Sequence, residues 1–354
     1  MSCCFLRPLR HSTFHVAARF AALGLGLALG ALPTRVAAAG AAPASGPVRL
    51  ILDTDMGNDV DDVLALAMIH ALQNEGRCEL LAVTLSSPYP LAGAFVDAVN
   101  TRYGRPDVPI GVNPRSPVGL SPARDYLPLV QERTTYPHDF DANRAPAALE
   151  VLRRTLAAAP DHGVVLLQVG AFNNLRDLLQ SRPDAISPLG GEELVRRKVR
   201  VLSLMAADFR AQQPKKAEFN VRLDLAAARE VTASWPTPMV WSGWEVGAAV
   251  TFPASAIERG LAPGDILREA YQRYRALPHE RPCWDLTSVW CMVFPDSDLL
   301  TWSAPGRVEM NAEGFTRHVV AEGGRDRVLA ITAEQAEQLR QRMAELAVRP
   351  PAPR

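Results

Sequence analysis

Short apolar runs recur along this sequence, with segments of helical length between them. Residues 48–52 (VRLIL), 80–85 (LLAVTL), 108–112, 164–169 (VVLLQV), 199–205 (VRVLSLM) and 239–241 read as strands. Residues 63–72, 95–103, 145–159, 174–180 and 226–234 read as the helices between them, and 286–293 as a further apolar helix. A strand that is apolar on both faces is buried on both faces, which calls for helices on each side of a parallel sheet. The alternation therefore predicts an α/β fold with a mostly parallel central sheet flanked by helices. The tail differs. Residues 307–310, 316–320 and 327–331 read as a small antiparallel C-terminal addition, followed by a last helix over 333–347. Residues 115–144, rich in Pro, Tyr and charge, read as a long surface loop, and such loops are often functional. With no internal repeat and no linker, residues 48–348 are expected to form a single domain and 349–354 a flexible tail.

The first 39 residues are set apart. Arg7, Arg10 and Arg19 lead into an apolar run over 20–32 (FAALGLGLALGAL), and Ala37-Ala38-Ala39 offers small residues for cleavage. This is the layout of a signal peptide, and the run is too short to span a membrane. The mature chain is expected to be exported, to the periplasm or the outside, with no membrane association after cleavage. The whole chain balances 38 Lys+Arg against 38 Asp+Glu. That balance argues against a nucleic-acid partner reached through a basic surface. Four arginines and no acid lie within residues 1–39, so the mature chain is acidic. Cleavage also removes Cys3 and Cys4, leaving Cys78, Cys283 and Cys291, an odd number that is no disulfide framework.

The densest chemistry follows the first strand. Asp53-Thr54-Asp55-Met56-Gly57-Asn58-Asp59-Val60-Asp61-Asp62 carries five carboxylates in ten residues. Like charges this close repel, and a bound cation relieves them. The carboxyl edge of a parallel strand is where α/β folds take ligands, and oxygen-only donors suit a hard cation such as Ca²⁺ or Mg²⁺. A helix cap would need one aspartate and not five. The spacing fails an EF-hand, because Gly57 falls one position early and Leu64 stands where the closing Glu should be. A haloacid-dehalogenase-like phosphatase begins DxDx[TV] after a strand. Asp53 and Asp55 fit it but Gly57 does not, which keeps it as a weaker alternative, with Mg²⁺ and a phospho-aspartate at Asp53.

The string resembles the signature of the inosine-uridine-preferring nucleoside hydrolase family, DxDPGxDD, with Met56 in place of Pro and a two-residue insertion before Asp61-Asp62. Three later segments follow in the family's order: residues 164–175 (VVLLQVGAFNNL), 199–224 with AEFN at 217–220, and Trp284-Asp285-Leu286 where the family has His-Asp-Pro. The resemblance implies a nucleoside hydrolase-like fold with a Rossmann-like sheet. It implies a Ca²⁺-dependent hydrolase of ribonucleosides or related ribosides, with homo-oligomers common among relatives. Carried over by position, Asp55 is a calcium ligand and the general base for water. Asp62, Asp285 and the main-chain carbonyl of Val169 are further ligands. Asp61 accepts from a ribose hydroxyl, and Asp53 orients the others. Asp59 could substitute for Asp61. Glu218 and Asn220, two apart on a segment read as extended, share one face and grip the 5′ end of the sugar. Gln212 stands at a sugar-contacting amide. Asn173 and Asn174 are read as helix caps.

The departures lie on the base side. Trp284 replaces the His that can protonate a leaving base; a Trp can stack on a base but has no titrating proton. Ser86 and Ser87 stand near a missing Asn. His138 and Tyr126 are candidate acids in the long loop, and Trp241, Trp244 and Trp284 candidate walls, although core packing suits Trp241 better. A nonhydrolytic calcium-dependent riboside-binding protein is the main alternative to the hydrolase.

Overall fold

The computed structural model describes residues 46–116, 126–211 and 216–352. The signal-peptide reading and Gln212 lie outside the described residues. In chain order the elements are β1 (Val48–Thr54), α1 (Asp61–Asn74), β2 (Cys78–Leu85), α2 (Ala92–Arg102), β3 (Ile110–Val112), α3 (Leu129–Glu132), α4 (Ala148–Ala158) and β4 (Val164–Gln168). There follow α5 (Asn173–Gln180), α6 (Gly191–Lys198), β5 (Val199–Met205), α7 (Phe219–Leu223), α8 (Leu225–Ser234), β6 (Met239–Ser242), α9 (Trp244–Ala249) and β7 (Thr251–Phe252). The last are α10 (Ala254–Gly260), α11 (Ile266–Tyr274), β8 (Arg281–Pro282), α12 (Trp284–Val293), β9 (Thr301–Trp302), β10 (Gly306–Met310), β11 (Thr316–Val320), β12 (Asp326–Ala330) and α13 (Ala333–Ala347).

Ten strands form one sheet in the order β11-β10-β12-β6-β5-β4-β1-β2-β3, with β9 also pairing β12. The run from β6 to β3 is parallel throughout, as the apolar strands require. Alternate residues of β1 feed opposite faces: Leu50 and Leu52 join a core with α1, α2, α11, α12 and α13, while Ile51 joins one with α4, α5, α6 and α8. The strand order reverses between β1 and β4, which opens a crevice at their carboxyl ends. The aspartate string lies at that crevice.

The tail needs one adjustment. β10 and β11 are the expected antiparallel addition, but β12 runs parallel to β6 and so belongs to the main sheet. The start of the expected flexible tail is tied down: the Arg349 guanidinium meets Glu75 and its carbonyl accepts from Tyr103 Oη at 3.5 Å. The long loop is also less of a surface feature than its composition suggests. It contains α3, and Tyr126, Leu127, Leu129 and Val130 are buried, with Tyr126 edge-on to Phe95 at 5.0 Å. The short helices α6, α7, α9, α10 and α11 were not anticipated from the sequence.

Candidate metal centre and pocket

β1 delivers its aspartates in two layers. Asp53, still on the strand, is fully buried; its Oδ1 accepts from Thr84 Oγ1 and Asn174 Nδ2, both at 2.6 Å. Burial pushes its carboxyl up to about 7. It does not line the pocket, so a nucleophile's access is lacking and the phosphatase reading loses its phospho-aspartate. The next residue, Thr54, donates from Oγ1 to Asp62 and accepts from the Met56 amide at 3.1 Å.

The chain then turns sharply. The Asn58 amide donates to the Asp55 carbonyl at 3.2 Å, and Gly57 sits at φ +109°, where a side chain would be strained. Tyr126 braces this turn from beneath: it accepts from the Gly57 amide at 2.9 Å and donates to the Asp59 carbonyl at 2.6 Å. Tyr126 is thus a fully buried strut and not a leaving-group acid, and neither it nor His138 lines the pocket. Across the crevice, Gly170 lets the end of β4 approach: a Cβ there would lie 2.6 Å from the Asp55 amide.

Asp61 and Asp62 open α1, and Asp285 opens α12. Both helices aim their amino ends at the same point, which favours negative charge there. The Asp285 amide donates to Asp61 Oδ2 at 3.2 Å. One carboxylate oxygen from each of Asp61, Asp62 and Asp285 lies within 4.8 Å of the others, all three residues being buried. Asp55 stands beside them, with Oδ2 buried and without a hydrogen-bond partner. Burial first, and then neighbouring carboxylates, raise all four well above the ordinary carboxylate range. Three buried acids gathered within 4.8 Å, with a fourth beside them, fit a hard divalent cation, which would remove the cost of ionising them together. The tight triad includes Asp61, assigned above to the sugar, alongside Asp62 and Asp285.

The sugar-side residues converge on the same cavity, of about 440 Å³. Val169 lines it, and its carbonyl accepts from Asn220 Nδ2 at 2.9 Å; the same amide donates to the Met205 carbonyl at 2.9 Å. Glu218 corrects the extended reading. It is the N-cap of α7, with Oε1 accepting from the Asn220 amide and Oε2 from the Val221 and Ala207 amides, at 3.0–3.2 Å. A single helical turn has no sequence period, so the two-residue spacing was misleading. Glu218 thereby clamps Ala207, held at φ +75°, to the start of α7. Burial outweighs these hydrogen bonds and lifts its carboxyl to about 7. Asn173 and Asn174 do not cap α5 either: Asn174 holds Asp53, and Asn173 donates to the Ser86 carbonyl and Ser116 Oγ, both at 2.9 Å. Ser86, near the place of the missing Asn, straps β1 to β4 by donating to the Thr54 carbonyl and accepting from the Ala171 amide.

On the base side, Trp284 and Trp244 pack together with ring centroids 6.3 Å apart, and Trp284 Nε1 donates to the Trp244 carbonyl at 2.9 Å. Trp241 is fully buried between Phe172 and Phe209, in the core as its setting suggested. The sequence reading missed Arg281 and Tyr274, both pocket-lining. Arg281 Nε donates to Asp59 Oδ1 at 2.8 Å and Nη2 to Oδ2. Asp59 is therefore an ion-pair partner, and only the position of Arg281 three residues before Trp284 hinted at it. Cys78, Cys283 and Cys291 are buried free thiols, so Cys283 and Cys291 do not pair.

The sequence matches the model of the family described as inosine-uridine preferring nucleoside hydrolase over residues 50–342. The structure is similar to the inosine-uridine preferring nucleoside hydrolase from Bacillus anthracis, with TM-score 0.62 and 18% identity, covering 84% of this chain and 99% of that one. It is similar to the purine-preferring ribonucleoside hydrolase from Gardnerella vaginalis, with TM-score 0.63 and 17% identity, covering 85% and 99%. It is also similar to the type III effector protein XopQ complexed with adenosine diphosphate ribose, with TM-score 0.58 and 15% identity, covering 86% and 95%. No curated protein sequence matches closely enough to count as a relative.

Proposed function

Because the chain belongs to the inosine-uridine preferring nucleoside hydrolase family, and so is an N-glycosyl hydrolase, we propose that it cleaves the N-glycosidic bond of ribonucleosides with the help of calcium. The observation that carries this reading is the buried cluster of Asp61, Asp62 and Asp285 beside the unpartnered Asp55 oxygen in the pocket. Asp55, Asp62, Asp285 and the Val169 carbonyl would hold the ion, with Asp61 close enough to join them. When bound, calcium supplies positive charge that orients the ribose diol and the attacking water and makes that water more acidic.

The chain's own residues do the rest. Asp55 accepts the proton of the water that attacks C1′. The developing positive charge on the sugar ring is stabilised by the surrounding carboxylates. Asp61 accepts from a ribose hydroxyl. Asn220, its amide nitrogen fixed on the Val169 and Met205 carbonyls, positions the 5′ end with Glu218. Trp284 closes the side from which the base leaves. The apolar, arginine-led start of the sequence supports export of this activity.

The test is release of free ribose from a panel of nucleosides, with and without a chelator. Chelator-sensitive release from any member is the expected result. Calcium-dependent binding of ribosides with no turnover would replace the hydrolase by the nonhydrolytic binder.

A further inference from the structure

One wall of the pocket is a ladder of rings and guanidinium groups that the sugar and metal chemistry leaves unexplained. Tyr274 and Trp284 flank the Arg281 guanidinium at 5.2 and 4.9 Å. Trp284 leans on Trp244 at 6.3 Å and 38°, and the Arg210 guanidinium lies 4.0 Å over Trp244. A base sandwiched between two rings needs about 7 Å between them, two contacts of roughly 3.5 Å. The two tryptophans are closer than that and tilted, so no base fits between them.

Arg281 is the polar group this wall presents. Asp59 holds its Nε and Nη2 in a fork, while Nη1 makes no hydrogen bond among the described residues. Its side chain is 22% exposed and lines the pocket. Asp59 belongs to the two-residue insertion that sets this aspartate string apart from the family pattern, and the guanidinium it anchors comes from the strand leading into Trp284-Asp285. The insertion thus anchors a cation on the side where a proton donor is missing.

We propose that Arg281 is the leaving-group residue, its Nη1 donating a hydrogen bond to a carbonyl or ring-nitrogen acceptor of the departing base and stabilising the negative charge that arrives there. This rests on the hydrolase reading above. As the C1′–N bond breaks, its electron pair passes to the base nitrogen. The water oxygen bonds C1′ and its proton goes to Asp55. Arginine keeps its own protons, because its pKa is too high to release one. The departed base takes a proton from solvent and Asp55 returns one to solvent, so riboside and water become ribose and neutral base. The substrate class is a riboside whose base carries such an acceptor, a purine or a pyrimidine.

Arg281→Gln separates this role from a structural one by its dependence on the leaving group. Ribose release would be compared between inosine and 4-nitrophenyl β-ribofuranoside, whose leaving group is a stable anion needing little help. Loss of one preorganised stabilising donor is expected to lower kcat/KM about 100-fold on inosine, and less than about tenfold on the nitrophenyl riboside. Equal losses on both, or no loss on inosine, would overturn the proposal. If Arg281→Gln does not fold by thermal denaturation, Arg281→Lys carries the same comparison, with a loss again larger on inosine. Wild-type protein that releases ribose from the nitrophenyl riboside and from no member of the nucleoside panel would instead bring down the hydrolase reading, and this inference with it.

Discussion

Asp55 carries two opposed consequences of one environment. Its charge is costly where it sits, because burial and the charges of Asp61, Asp59 and Glu218 all oppose it. Asp55→Asn should therefore abolish ribose release, by at least about 100-fold for loss of a general base. The same change should leave the metal-free protein as stable as wild type or more so, read by differential scanning fluorimetry. A destabilised variant would mean that Asp55 is structural. His70 gives a pH test outside the site. It is buried, 2.8 Å from Asn100 Oδ1 through Nε2 and stacked on Tyr103, and burial lowers its pKa to about 3. The folded protein needs it neutral while the unfolded chain protonates it near the usual 6.5. Its contribution is thus full above pH 6.5 and lost as pH falls toward 3. Urea midpoints should fall less between pH 7 and pH 4.5 in His70→Gln than in wild type; equal falls would contradict this. At this scale the aspartates were legible because their crowding is visible in sequence. Arg281 and Tyr274 were not, since an isolated arginine or tyrosine is ordinary until the fold brings it to a pocket.

Among elements, β1 and β4 meet closely at Gly170. Gly170→Ala would press a methyl group against the Asp55 amide and Ser86 Oγ, at 2.6 and 2.4 Å. Overpacking of this kind costs about 1–3 kcal/mol, and the cost should show as a lowered denaturation midpoint together with loss of ribose release. An unchanged midpoint would mean that the β4 end moves freely. The buried parallel strands and long helices were readable because their periods and compositions differ. Residues 217–220 were not, because one turn of helix capped by Glu218 carries the same spacing as an extended segment. Asn173 and Asn174 misled for a related reason: their type suits a cap, but the fold turns both amides inward, toward Ser86 and Asp53.

Across the whole molecule, the doubly wound sheet makes one site from residues far apart in the chain. Asp55, Asp61 and Asp62 come from the first strand and helix, Val169 from the end of β4, and Asp285 from α12. The location was legible, because the first strand of an alternating α/β chain ends at the sheet's switch point. On the base side Trp244 and Trp284 were legible as candidate walls, but Tyr274 and Arg281 were not, because they are gathered by short elements of no clear pattern. An ion held by α1 and α12 together should stabilise the folded state, since ligands that bind only the native form do so by mass action. The most direct measurement is a titration of chelator-stripped protein with calcium while ribose release from inosine is followed. Turnover should be absent at the start, rise with added calcium and saturate at one ion per chain, and fail to rise in Asp62→Asn or Asp285→Asn. Full turnover in stripped protein, indifferent to calcium, would contradict the assignment of these aspartates as the metal centre of a riboside hydrolase.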